Sequence, residues 1–202
     1  MFSNIQALMD KSAPVSVLFS DEEGEVFPDL YCELIRRARS GESFLVKKQG
    51  CPVGAYVLGD TDIMPSDYYY RSGRYTNMDA ARTATENLYR ITTKGRSIKI
   101  APFTGEKFDI MLLFLLPERA MRIVQAQAYI CGKPFEMRTG GIASICSDCT
   151  AYPLQGKIGI SLGCKGSRKH SKYGDDEVVV GIPFQLAQKI DEALGKIPGT
   201  NE

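Results

Sequence analysis

The chain has 202 residues and a formal net charge of +1, and 44% of its residues are hydrophobic. This length suits a single domain, residues 1–202, with a buried core, and the near-neutral charge gives no support to binding of nucleic acid or of a membrane surface. No apolar run approaches the roughly 18 residues of a membrane helix, and the N-terminus lacks the pattern of a secretory signal, so we expect a cytoplasmic protein.

The first half of the sequence predicts two strands on either side of a helix. The segment PVSVLFS (14–20) reads as a strand, Asp29 is a suitable N-cap for the next helix, and SFLVKK (43–48) predicts the second strand. Gly50-Cys51-Pro52 then precedes a short helix, because proline suits a first helical position. Residues 60–78, rich in Asp, Ser, Gly and Tyr, predict a long loop.

The second half predicts further strands, of which one is buried on both faces. FDIMLLFLL (108–116) is a continuous apolar run, as expected for such a strand. The helix that follows begins at Pro117 and ends at Gly132, and we expect Cys131 on its core-facing side. The other predictions are helices at about 79–90 and 144–152, a C-terminal helix, strands at about 97–102, 135–138, 157–162 and 177–183, and a polar loop between the last two. Together they predict an α/β or α+β fold, a mixed sheet with flanking helices.

Two regions repeat the same order of features around a pair of cysteines. Cys32 lies in the first turn of a helix, a strand follows, and Cys51 comes directly after it; Cys146 and Cys164 occupy the same places around the strand KIGISL. Eighteen residues separate the first pair and seventeen the second. We therefore predict an internal duplication in which a pseudo-twofold axis relates two halves that share one core, so that four cysteines converge. The predicted halves are about 1–95 and 96–202.

Four converging cysteines suit a metal or iron–sulfur site. Thiolate is the ligand form of cysteine, and a helix N-terminus lowers the pKa of a thiol through its N–H groups and dipole. Sets of four cysteines bind [4Fe–4S] clusters or structural zinc, although this spacing matches no standard ferredoxin or zinc-ribbon pattern. Two alternatives stay open: the cysteines are core residues that bind no metal, or Cys146 and Cys149 form a redox-active CxxC pair.

Two other segments contain candidate ligand-binding residues. GCKGSRKHSKYGDDE has the glycines and cations of an anion-binding loop, with Lys165 and Arg168 as the candidates, and a solvated basic loop is the alternative. Tyr69 and Arg71 belong to a tyrosine-rich segment whose rings either stack on a flat ligand or cover an oligomer interface. His170 is the single histidine, which excludes a metal site of several histidines.

Three blocks of the sequence together resemble a known family. They are CPVGAYVLG, LLPERAMRIVQAQAYICG and GIASICSDCTAYPLQGKIGISLGCKGSRKHSKYGDDEVVVGIP. In these blocks the chain is similar to the uncharacterised ArCR family, a domain of unknown function found in archaea and anaerobic bacteria. The resemblance implies no activity. It implies that Cys32, Cys51, Cys146 and Cys164 match recurrent family cysteines whereas Cys131 and Cys149 do not, and an anaerobic setting suits an oxygen-sensitive cluster.

Three functional hypotheses follow from these observations. The first is a cytoplasmic iron–sulfur or metal protein that works with a redox partner in electron transfer or redox-linked cofactor metabolism. The second is a non-redox domain that binds a small anion or flat cofactor through Gly163 to Lys172 and the tyrosine-rich segment. The third is a structural module, such as a homodimer, with buried cysteines. The sequence leaves open whether the protein is an enzyme.

Overall fold

A seven-stranded mixed sheet forms the centre of the molecule. The computed structural model describes residues 2–9, 12–92 and 95–199. Across the sheet the strand order is β2-β3-β4-β1-β5-β7-β6, and all neighbours are antiparallel except β2 and β3. The fold is therefore the mixed α/β type predicted from the sequence. The strands are β1 Val15–Ser20, β2 Glu25–Val26, β3 Phe44–Lys48, β4 Ser97–Pro102, β5 Ile110–Leu115, β6 Gly159–Ser161 and β7 Val178–Pro183.

Helices cover both faces of the sheet. Because side chains alternate along a strand, Ile110, Leu112 and Phe114 of β5 enter one core and Met111 and Leu113 enter the other. None of the described helices is long and apolar enough to cross a membrane. The helices are α1 Ser3–Gln6, α2 Tyr31–Arg39, α3 Pro52–Val57, α4 Ser66–Arg71, α5 Met78–Glu86, α6 Pro117–Cys131, a π-helix Ser144–Ala151, a short 3₁₀-helix Pro153–Gln155, α7 Lys165–Ser171 and α8 Phe184–Leu194.

The strand pairing is repeated on the two sides of the sheet centre. β1 pairs with all six residues of β4, and β5 pairs with all six residues of β7 in the same sense and register. β3 adds to β4 as β6 adds to β7, each through three residue pairs. One hydrogen bond is also repeated, from the Phe103 N–H to the Pro14 carbonyl (2.8 Å) and from the Phe184 N–H to the Asp109 carbonyl (2.9 Å).

This pairing bears on where two duplicated halves would meet. β1 and β5 are antiparallel neighbours, so a rotation of half a turn between them brings β1, β3 and β4 onto β5, β6 and β7. β4 then belongs to the first half. The internal duplication stays a prediction, and the strand pairing favours a junction in the segment between β4 and β5 over one near residue 95.

Two segments that were predicted as loops contain helices. α4 lies within 60–78, and it is too short, at six residues, to produce a recognisable apolar period. α7 lies within the predicted polar loop, and its buried positions are Ser167 and Ser171. A helix that buries serines shows no hydrophobic stripe, which is why its pattern resembled that of a loop.

Three further local predictions are wrong. Asp29 does not cap α2: Leu30 is the N-cap residue, and its N–H donates to the Glu33 carboxylate at 2.9 Å. Residues 135–138 form no strand. Cys131 is exposed instead of facing the core, and so are Tyr129 and Ile130, the two residues before it at the end of α6.

Candidate four-cysteine site

The four cysteines singled out by the sequence line one cavity. Cys32 belongs to α2 and Cys146 to the π-helix, and Cys51 and Cys164 immediately precede α3 and α7. Together they line a space of about 100 Å³. Cys146 belongs to the core on this face of the sheet, and Cys32 and Cys51 pack against it. Other lining residues include Leu30, Val53, Tyr68, Tyr69, Arg74, Ile142, Ser144, Lys165, Ser167 and His170.

Cys51 and Cys164 have the same local geometry. Each is the N-cap residue of a short helix, α3 or α7, and its sulfur accepts a hydrogen bond from the third residue of that helix. The Gly54 N–H donates to the Cys51 sulfur at 3.2 Å, and the Ser167 N–H donates to the Cys164 sulfur at 3.3 Å. Such N–H donors stabilise a thiolate, which is the form of cysteine that binds metals.

Cys164 is the cysteine best prepared to ionise. Burial raises the pKa of its thiol, but hydrogen bonding from Ser144 and Ser167 outweighs that effect and lowers the pKa below its ordinary value. The Ser144 hydroxyl faces this sulfur, is fully buried, and has no hydrogen-bond partner of ordinary geometry in the described structure. Sequence patterns did not identify Ser144, because its role depends on a sulfur twenty residues away.

Burial dominates at the other three thiols of the site. Burial is the largest cause that raises the pKa values of Cys32, Cys51 and Cys146. Each of these pKa values is raised further by the charge of another cysteine of the set, and that of Cys146 by all three. The four sulfurs are therefore close enough to repel one another when ionised, and a cation between them would relieve that repulsion.

The backbone of the π-helix rests directly on two glycines of the sheet. A Cβ on Gly159 would lie 1.9 Å from the Asp148 carbonyl oxygen, and a Cβ on Gly181 would lie 2.0 Å from that of Cys149. The π-helix is further held by the Asp148 carboxylate, which accepts hydrogen bonds from the hydroxyls of Thr139 and Ser161, both at 2.8 Å. Close backbone contact therefore determines the height of Cys146 above the sheet.

The remaining cysteines lie outside the cavity. Cys149 points towards the sheet, where its thiol donates to the Val179 carbonyl at 3.4 Å, and Cys131 is exposed on α6. Cys146 and Cys149 therefore point in different directions although they form a CxxC sequence. This geometry gives no support to a dithiol redox pair.

The four predicted ligand-binding residues divide into two groups. Lys165 and Tyr69 line the cavity with the cysteines. Arg168 does not: its guanidinium donates to three backbone carbonyls, at 2.6 to 3.0 Å, and stacks on the Tyr173 ring. Arg71 is exposed and also lies outside the lining, whereas Arg74, three residues later, belongs to it.

His170 also lines the cavity, but it has a partner of its own. Its Nδ1 lies 3.0 Å from a carboxylate oxygen of Glu33, the residue after Cys32. This contact joins α7 to α2, as does the hydrogen bond from the Ser171 hydroxyl to the Cys32 carbonyl at 2.8 Å. The two helices that begin at the cavity are thus held together from opposite halves of the sheet.

The spacing of the sulfurs distinguishes between kinds of metal centre. Among residues 2–9, 12–92 and 95–199, no three His, Cys, Asp or Glu side chains are close enough to hold one metal ion. A single zinc ion needs all its sulfurs at about 2.3 Å from one point. A four-iron cluster binds each sulfur through a different iron atom, so its ligands stand further apart.

Comparison with known proteins identifies the family of the chain. Residues 5–193 match the family described as Uncharacterised ArCR. An uncharacterised protein of Methanocaldococcus jannaschii, MJ0308, is 30% identical in an alignment of 175 residues that covers 81% of this chain and 75% of that protein. No solved structure matches the chain significantly. The chain therefore belongs to the uncharacterised ArCR family.

Proposed function

We propose that this protein is an iron–sulfur protein in which Cys32, Cys51, Cys146 and Cys164 hold one [4Fe–4S] cluster. The observation that carries the proposal is that these four cysteines, from four separate segments, line a single cavity while the other two lie elsewhere. Ordinary core cysteines have no reason to face a shared space. A [4Fe–4S] cluster binds each thiolate through a different iron atom, so it can use four sulfurs that are not close enough to share one ion.

The surroundings of the sulfurs also suit a cluster. The Gly54 and Ser167 N–H groups donate to two of them, and such hydrogen bonds stabilise the charge on a cluster and raise its reduction potential. The unpartnered Ser144 hydroxyl is a third donor beside Cys164. Zinc is the second candidate metal, and it would require the four sulfurs to move closer together than the described geometry.

We infer an electron-transfer role for this cluster. Four protein ligands leave no iron atom free to bind a substrate, so the chemistry available is gain and loss of an electron. The partner would be another redox protein or a small redox molecule, and a cytoplasmic, oxygen-poor setting would preserve the cluster. The cavity reaches the surface beside the exposed Lys165, which gives such a partner a short path.

The test is metal analysis of protein purified without oxygen. We expect about four iron and four acid-labile sulfide per chain, with broad visible absorbance, as a [4Fe–4S] cluster gives. Single Cys→Ser variants at the four cavity positions should each lose iron. Cys149→Ser and Cys131→Ser are matched controls, one buried and one exposed, and should keep it.

The possible outcomes separate the hypotheses. Stoichiometric zinc without sulfide would keep the site and replace the cluster by a structural ion. A folded protein without iron, zinc or sulfide, purified from anaerobically grown cells, would contradict the proposal. Equal iron loss in the cavity variants and in Cys149→Ser would show that the losses reflect damage to the fold rather than loss of a ligand.

A further inference from the structure

The opening of the cysteine cavity carries two cations without acidic partners. Arg74 and Lys165 both line the cavity, and neither forms an ion pair with a carboxylate among the residues that the structure describes. Three other arginines already have partners: Arg37 and Arg39 form ion pairs with acidic residues, and Arg168 donates to backbone carbonyls. The opening therefore carries positive charge that no carboxylate of the described residues neutralises.

Aromatic rings hold the Arg74 guanidinium in position. Its centre lies 5.2 Å from the Tyr68 ring and 5.7 Å from the Tyr69 ring, and one of its N–H groups donates to the Ser72 hydroxyl. Stacking of this kind leaves other N–H groups of the guanidinium free to donate. A planar guanidinium with free donors matches a carboxylate, which it binds through two parallel hydrogen bonds.

Tyr69 places a phenol beside this cation. Only 4% of the residue is exposed, and its side chain lines the cavity. After burial, the charges of Cys146, Cys164 and Cys51 are the largest influences that raise its pKa, so the phenol lies close to these sulfurs. Because Tyr69 lines the cavity, its phenol is placed to donate to an acceptor that enters from outside the chain.

We propose that the opening of the cavity binds a small organic acid, whose carboxylate is held by Arg74 and the Tyr69 hydroxyl, with Lys165 adding attraction. This ligand would sit over the cysteines, so the inference rests on the proposed function and names the class of small molecule that its site recognises. If the four cysteines hold a cluster, the bound acid lies directly beside it.

The test uses trifluoroacetate as the carboxylate probe and trifluoroacetamide as its neutral analogue, observed by ¹⁹F NMR with the anaerobically purified protein. We expect saturable line broadening of trifluoroacetate, with little effect on trifluoroacetamide. Arg74→Gln should weaken trifluoroacetate binding roughly tenfold or more, because it removes a charge-assisted hydrogen-bond pair. Tyr69→Phe should weaken binding less and should leave the preference for the anion.

Arg71→Gln is the matched control, because Arg71 belongs to the same segment and is exposed outside the cavity. Equal binding by the Arg71→Gln and Arg74→Gln variants, or no binding by the unmodified protein, would overturn the inference. Iron measured in the same samples separates the two proposals. Arg74-dependent binding by protein without iron would support the carboxylate site and contradict the cluster. An iron-loaded protein that does not bind trifluoroacetate would support the cluster and contradict the carboxylate site.

Discussion

Replacement of Gly181 by alanine tests whether the sheet determines the position of the π-helix. The new Cβ would lie 2.0 Å from the Cys149 carbonyl oxygen and 2.7 Å from its carbonyl carbon, whereas real Cβ atoms essentially never approach other atoms within 3.0 Å. The π-helix backbone must therefore shift by about 1 Å, which is the difference between the 2.0 Å contact and the 3.0 Å limit. Both neighbours are backbone atoms, so no side-chain rotation can relieve the contact.

The expected cost of Gly181→Ala is about 3 kcal/mol of unfolding free energy, at the upper end of the range for overpacking in a core. Because Cys146 is part of the displaced helix, the variant should also bind less iron or zinc than the unmodified protein. Urea unfolding followed by circular dichroism measures the first effect, and metal analysis measures the second.

Gly140→Ala is the control for this prediction. Its Cβ would meet only a side-chain atom of Ile142, at 3.7 Å, which is an ordinary contact. We expect it to change the unfolding free energy by less than about 1 kcal/mol. If Gly181→Ala unfolds at the same urea concentration as Gly140→Ala, the close packing of the π-helix on the sheet is not the determinant of its position.

Two more predictions concern buried charges. Burial raises the pKa of Asp148 to about 6 from 3.8, so the folded state binds more protons than the unfolded state between these values; stability should fall by on the order of 3 kcal/mol as the pH rises from 4 to 7. Asp148→Asn should remove this slope from urea titrations, and an unchanged slope would refute the assignment. Arg39 pairs with buried Glu177 at 3.5 Å, so Arg39→Ala should cost about 3–5 kcal/mol. Lys47→Ala breaks an exposed pair and should cost less than about 1 kcal/mol; equal losses would contradict this difference.

Much of the fold followed from local patterns. The alternation and length of the apolar runs predicted the main strands, and Pro117 and Gly132 marked the ends of α6 correctly. Cys51 was predicted near a helix N-terminus, and it caps α3 as expected from Pro52. These features depend on neighbours in sequence, and so a single sequence can reveal them.

The repeat was the most informative long-range pattern. It grouped Cys32 with Cys51 and Cys146 with Cys164, and all four line one cavity. The pattern could not show which strands pair, because β4 lies far along the chain from β1 although it pairs with every residue of that strand. Strand pairing between distant segments leaves no mark in a local window.

The sequence could not show which of the other candidate residues line the cavity. Arg168 and Lys165 stand three residues apart in one basic segment, yet one donates to backbone carbonyls and the other lines the cavity. Similarly, Arg74 lines the cavity, whereas Arg71, three residues earlier, is exposed outside it. A cation binds whichever acceptors the fold brings near, and those acceptors come from other parts of the chain.

The sequence by itself determined the main strands, the ends of α6 and the set of four cysteines that line one cavity, because these are expressed in spacing and in local backbone preference. Only the tertiary structure decided which way each of these side chains points. Cys146 faces the cavity while Cys149 faces the sheet, since the π-helix is wound more widely than an α-helix and its backbone is pressed against Gly159 and Gly181. That contact between segments distant in sequence is the physical reason why the site could be assembled only from the folded chain.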